Sequence, residues 1–358
     1  MKSKKSQKKS PKSQSSKRSK QQVKVFRNSD YEIIFNLDTG FELLQGINGK
    51  PDPFALDLPS LLDIGIMGRC HNKCEFCYQG HEKKKHMRFD NFKRIVDQVK
   101  THTNQIALGG RGDPNHHPRF KDIVEYSRKN FVVPNYTTSG FKMKPEHVEI
   151  SKMCGAVAVS DYERSFSYEA MEALYNNGIK TNIHMIFDRI NYDKTIKILY
   201  GNNVWKSKQN ARFFNGKEQL IDINKINAVI FLLFKRAGAA ADVKRTPTSY
   251  QIQAFSSLVF NPKSNFKIGM DSCLVNHAIK YGNPHEMQRL TIDTCEAARM
   301  SAYISPDMII MPCSFADEKK WGVPIGKKSI HTIWNKSKPF KKFREILKKN
   351  PNCCPLNL

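Results

Sequence analysis

Residues 62–66, 105–108, 132–136, 156–159, 181–187 and 228–234 are short apolar runs of strand length. Between the first five lie 92–99, 120–129, 145–153 and 167–177, whose apolar residues recur at helical spacing, the last stopped by Gly178. Strands that alternate with helices cannot pair as hairpins, so they predict a parallel sheet with crossover helices, an α/β fold. Residues 191–225 are polar and poorly periodic and carry no firm assignment. Upstream, 31–37 and 41–44 flank Asp38-Thr39-Gly40 and read as a hairpin. The 358 residues suffice for one large α/β domain, or for a domain of about 200–250 residues with an appendage. No apolar run approaches the length that spans a bilayer.

The expected chemistry starts in the loop after the first of these strands. Cys70, Cys74 and Cys77 stand in a C-x3-C-x2-C run with Phe76 just before the third thiol. Three thiolates on one loop hold three irons of a [4Fe–4S] cube and leave the fourth iron open to a small molecule. A purely structural or electron-transferring cube is normally closed by four cysteines. The competing readings are a zinc loop short of its fourth ligand and three unrelated thiols. Zinc motifs usually pair C-x2-C with a second pair further on, and that pattern is missing.

The second strand ends in Gly109-Gly110-Arg111-Gly112-Asp113-Pro114. Glycines there let the backbone approach a ligand, and a carboxylate beside them suits an ammonium group; an ordinary Gly/Pro turn is the plainer reading. Ser139 closes the third strand and Ser160 the fourth, with Arg164 following; each also suits a helix cap or loop. Nine cysteines without a secretory signal indicate metal or redox chemistry in a reducing, cytoplasmic setting rather than a disulfide framework. Cys154 reads as a core thiol. Cys273, Cys295, Cys313 and the adjacent Cys353 and Cys354 lie beyond residue 260, where apolar periodicity fades.

The cysteine loop with its aromatic resembles the signature of the radical S-adenosylmethionine (SAM) superfamily. The resemblance covers about residues 25–354 and implies a partial (β/α)6 barrel with its chemistry at the C-terminal strand ends. It implies that Cys70, Cys74 and Cys77 hold a [4Fe–4S] cluster that binds SAM. Gly109, Gly110 and Asp113 correspond to the family's Gly-Gly-x-Glu-Pro type motif, with Asp for Glu and an extra Gly112. Ser139, Ser160 and Arg164 fall where the family places SAM contacts. The late cysteines resemble the SPASM/twitch extension, whose first pair reads C-x(9–15)-G-x4-C; Cys295 and Cys313 fit, with Met308 at the glycine position. Too few thiols follow for the full SPASM set. The resemblance therefore implies one auxiliary [4Fe–4S] cluster on Cys273, Cys295, Cys313 and either Cys353 or Cys354, Cys273 lying unusually far from Cys295.

The implied domains are a disordered Lys/Ser-rich tail (1–24), a radical SAM core with its N-terminal hairpin (25–260) and a SPASM/twitch-like domain (261–358). The implied reaction is reductive cleavage of SAM to a 5′-deoxyadenosyl radical that abstracts hydrogen from a substrate, with a peptide or protein side chain foremost. An electron donor such as flavodoxin or ferredoxin is implied as a partner. RNA, a nucleotide or a small metabolite is the alternative substrate, and a non-catalytic iron–sulfur or zinc protein that binds nucleic acid is a further one. Those alternatives draw on the net charge of +26, because residues 2–24 hold ten Lys or Arg and no acid. Such a stretch cannot bury enough surface to fold, and serves either as a solubilising extension or as a nucleic-acid tether.

Overall fold

The computed structural model describes residues 22–206, 221–264, 266–282 and 294–356. Residues 1–21, most of the expected tail, lie outside them. The first strand, β1 (Val23–Arg27), begins within the stretch assigned to that tail. It pairs antiparallel with β2 (Tyr31–Asn36), which pairs with β3 (Glu42–Gly46), so the expected hairpin is two edges of a three-stranded sheet. Lys24 anchors β1, its ammonium donating to the carbonyls of Lys100 (2.7 Å) and Thr103 (2.6 Å).

The main sheet carries six parallel strands in sequence order: β4 (Leu61–Met67), β5 (Gln105–Gly110), β6 (Val133–Thr138), β7 (Val157–Ser160), β8 (Thr181–Phe187) and β9 (Ala228–Leu233). Helices α1 (Phe89–Val99), α2 (Phe120–Lys129), α3 (Pro145–Ser151), α4 (Ser165–Asn176) and α5 (Tyr192–Leu199) lie between them. In α1, Phe92, Ile95, Val96 and Val99 recur at three- and four-residue steps and are all buried. Each such side chain contributes roughly 1.5–3 kcal/mol. The α/β reading and the partial (β/α)6 barrel hold.

After α6 (Ser249–Val259) the sheet continues past residue 261. β10 (Ile268–Met270) adds in parallel to β9, and α7 (Ser272–Ala278) follows it. At the opposite edge, β11 (Ser301–Ile304) adds in parallel to β4, with Tyr303 opposite Asp63. β12 (Ile309–Met311) and β13 (Val323–Pro324) extend that edge antiparallel. Cys295 and Cys313 thus sit on a hairpin built into the barrel sheet. Its turn, Ser305 to Met308, closes with the Met308 amide donating to the Ser305 carbonyl at 3.0 Å. Met308 adopts φ +63°, the left-handed conformation that glycine takes at no steric cost.

The short helix α8 (Glu318–Trp321) precedes β13, and α9 (Ile330–Lys336) and α10 (Lys338–Lys349) close the chain over α1. Trp334 is fully buried and its indole donates to the Leu56 carbonyl at 2.8 Å. Phe340, Phe343 and Leu347 line the buried stripe of α10, so barrel and C-terminal helices share one core.

Candidate active site

The cysteine loop leaves β4 and returns to it. Lys84 N–H donates to the Gly68 carbonyl (2.7 Å) and Met87 N–H to that of Ile66 (2.9 Å). The loop is pinned at its far end as well. Lys84 bridges Asp307 (2.9 Å) and Glu318 (3.3 Å). Inside it, the Cys77 amide donates to the Cys74 carbonyl at 3.1 Å. The Phe76 ring lies 5.5 Å from that of Tyr162 and 4.8 Å from the guanidinium of Arg245. Arg245 in turn holds buried Asp188 at 2.8 Å and Glu75 at 3.2 Å. The aromatic before the third thiol therefore clamps the loop to the barrel rim.

The glycine turn packs directly beneath. Gly110 (φ +108°) and Gly112 (φ +134°) both need a conformation that side chains avoid. A Cβ on Gly110 would stand 2.6 Å from the Met67 carbonyl oxygen, and one on Gly112 2.5 Å from that of Arg69. The carboxylate of Asp113 accepts from the Ser139 amide and hydroxyl, both at 2.6 Å, and Asn72 of the cysteine loop donates to the same hydroxyl at 3.0 Å. Loop, glycine turn and the end of β6 are thus one hydrogen-bonded unit. Arg164, exposed at the start of α4, bears on Cys74 with its positive charge. Ser160 ends β7 and hydrogen-bonds Tyr162. Asp161, beside it, is taken up by Lys194 (2.7 Å) and the Trp205 indole (2.9 Å).

Burial, then the negative charges of Cys70, Cys77 and Asp113, push the Cys74 thiol up to about 11. Cys70 is raised as well, first by burial. Three crowded thiols whose anions repel one another are a site that bound cations would relieve. Among the described residues no three His, Cys, Asp or Glu side chains are arranged around a single metal ion. A cube asks instead for one thiolate per iron corner, and this donor set fits it.

The late cysteines also come together. Cys273 stands at the start of α7, Cys295 before β11 and Cys313 after β12. Burial raises Cys273 to about 12, with Cys295 and Cys354 adding to it. Burial raises Cys295 to about 11, with Cys354 adding. Burial also lifts Cys313 well above the ordinary thiol range, with Cys273, Cys295 and Cys354 adding. Cys354 bears on all three, whereas Cys353 is exposed. Cys154 lies in the core, as expected. The two thiol sets adjoin: the rings of Tyr78, after Cys77, and Phe315, after Cys313, are 4.5 Å apart.

Between them stands a cluster of polar groups that sequence reasoning missed. Asp63 bears on Tyr78 and on Tyr303, Arg111 bears on Tyr303, and Tyr78 is within electrostatic reach of both Cys77 and Cys313. The Tyr303 hydroxyl lies against Gln79, and Arg111 Nη1 is buried there without a hydrogen-bond partner. Burial lowers His184 to about 4, keeping it neutral. Burial raises Asp63 from 3.8 to about 7 against a hydrogen bond from Ser314. Its one sequence signal was an acid inside an apolar strand.

A pH dependence of stability follows. Folded Asp63 holds its proton more tightly than the unfolded chain does, so its stabilising contribution is present below pH 4 and is lost as pH rises to 7. At about 1.4 kcal/mol per unit, urea denaturation should show the wild type losing about 2–3 kcal/mol relative to Asp63→Asn between pH 5 and pH 7. Parallel pH profiles for the two proteins would contradict the burial of this carboxyl.

Comparison with known proteins converges on this arrangement. The radical SAM superfamily profile matches residues 64–161, from β4 through the end of β7. A tungsten-containing aldehyde ferredoxin oxidoreductase cofactor-modifying protein of Pyrococcus furiosus is 32% identical over 89 residues, 24% of this chain. That match spans only 25% of the relative's length. The mycofactocin maturase MftC of Mycolicibacterium smegmatis is 22% identical over 315 residues, 81% of this chain and 74% of that one. Among solved structures, SuiB of Streptococcus suis, bound to its precursor peptide SuiA, superposes with a TM-score of 0.66 at 14% identity, covering 90% of this chain and 89% of that one. Among the described residues no helix is long and apolar enough to cross a membrane. The three-thiol loop and the glycine turn beneath it both lie within residues 64–161, the stretch that matches the radical SAM superfamily, and in this the chain is similar to radical SAM enzymes.

Proposed function

We propose that this chain is a radical SAM enzyme that abstracts a hydrogen atom from a peptide or protein side chain held between its two thiol sets. The observation that carries the reading is the polar cluster of Asp63, Tyr78, Tyr303 and Arg111, in which Tyr78 is close to both Cys77 and Cys313. Cys70, Cys74 and Cys77 would hold the [4Fe–4S] cluster, which with bound SAM supplies the 5′-deoxyadenosyl radical. Gly110 and Gly112 bring backbone up to the cofactor side of the loop, and Asp113 with Ser139 fixes that backbone. Ser160 and Arg164 at neighbouring strand ends are the further SAM contacts. Cys273, Cys295, Cys313 and Cys354 would hold one auxiliary [4Fe–4S] cluster, and a flavodoxin- or ferredoxin-type protein would supply electrons. The likeness to MftC, a maturase, and to SuiB, solved with its precursor peptide, favours a peptide over a small metabolite. The nucleic-acid alternative draws on the basic stretch 2–24, of which residues 2–21 lie outside the described residues and Lys24 is engaged by the carbonyls of Lys100 and Thr103.

The test is anaerobic reconstitution followed by 5′-deoxyadenosine quantification with SAM and dithionite. About eight irons per chain and dithionite-dependent cleavage are expected for two cubes. Total peptide and total RNA fractions from the source cells are then added separately. Stimulation of 5′-deoxyadenosine formation by the peptides supports the proposal; stimulation by RNA alone sinks the peptide assignment.

A further inference from the structure

Lys235 follows β9, and its side chain is only 4% exposed. Its ammonium donates to Asp271 and stands 4.7 Å from the centroid of the Phe315 ring. Asp271 has its own duties: it caps α7 by accepting from the Leu274 amide at 2.8 Å, and it takes the Leu233 amide at 3.3 Å. Those bonds hold the carboxylate at the helix end, and the ammonium faces the Phe315 ring, two residues after Cys313. Of the charges acting on Cys273, that of Lys235 is the largest and opposes the effect of burial; the opposing charge of Asp271 comes second. Cys273 and Cys313 in turn act on Lys235. A buried ion pair is weak evidence for stability, since desolvation offsets its attraction. A pair oriented with its cation toward thiols has an electrostatic consequence that an apolar pair of the same size would lack.

We propose that Lys235 raises the reduction potential of the auxiliary cluster, its fixed positive charge favouring the state that carries one more electron. The inference rests on the auxiliary cluster proposed above. Net charge and groups close to the sulfurs are among the factors that set such potentials, and low internal polarity strengthens the effect of a buried charge.

The experiment uses the full chain carrying Cys74→Ala, so that only the auxiliary cluster is titrated, by potentiometric electron paramagnetic resonance. Lys235→Met should lower the reduced-to-oxidised ratio at a given potential at least tenfold, 59 mV for one electron. Lys235→Arg, which keeps the charge, should stay within threefold of the parent. Asp271→Asn, which keeps a good helix cap but removes the opposing charge, should move the ratio upward. Coincident titrations of the Met variant and the parent would overturn the inference while leaving the cluster assignment standing. If Lys235→Met fails to take up iron, the direction of the Asp271→Asn shift decides, a downward shift or none being contrary. A parent chain that loads no iron at all overturns both readings.

Discussion

Cys74→Ala is expected to bring SAM cleavage down to the background without enzyme and to leave about four of about eight irons per chain. Cys74 is the middle thiol of the loop, and its charge is coupled to Cys70, Cys77 and Asp113 at once. Its removal leaves two thiols for a cluster that needs three. The rest of the molecule should not notice. The loop is pinned through Lys84, Phe76 and Asn72, none of which depends on the thiol. Unchanged circular dichroism and thermal midpoint are therefore part of the expected result. Cleavage that persists in this variant would remove the assignment of the loop.

The second large effect separates two neighbours. Cys354→Ser should cost the auxiliary cluster, lowering iron toward about four per chain and abolishing its spectral signature. Cys353→Ser should retain about eight. The contrast arises because Cys354 bears on Cys273, Cys295 and Cys313, while Cys353 is exposed. Equal iron loss in both variants, or loss with Cys353→Ser alone, would reverse the assignment. Sequence could not choose between adjacent thiols, because the choice depends on how the chain turns after Asn350.

Other features divide along the same line. The barrel strands and most crossover helices were legible because each has its own apolar period, and α2 and β8 lie where that period places them. β1 was hidden because its valines, Val23 and Val25, are exposed while Lys24 takes one of the half-buried positions between them, all beside a lysine-rich run. Its order comes from pairing with β2 and from Lys24 reaching two distant carbonyls. Asp63, His184 and Lys235 read as unremarkable polar residues within or beside strands. Their importance lies in partners distant in sequence, which only the folded sheet brings to them. Met308 was recognisable as a departure from glycine. That its backbone nevertheless keeps glycine's left-handed conformation, at a cost of about 1–2 kcal/mol, required coordinates.

The parallel pairing of β11 with β4 also sets a timetable for making the protein. A ribosome adding about 5–20 residues per second completes β4 roughly ten to fifty seconds before β11 exists. Through that interval the first strand of the barrel has one edge bare, and Asp63 lacks Tyr303 at its side. Cys354 emerges later than β11 again. The surroundings of the thiols are thus completed well after the cysteine loop itself is made, and any metal loading that needs them must wait for that second edge.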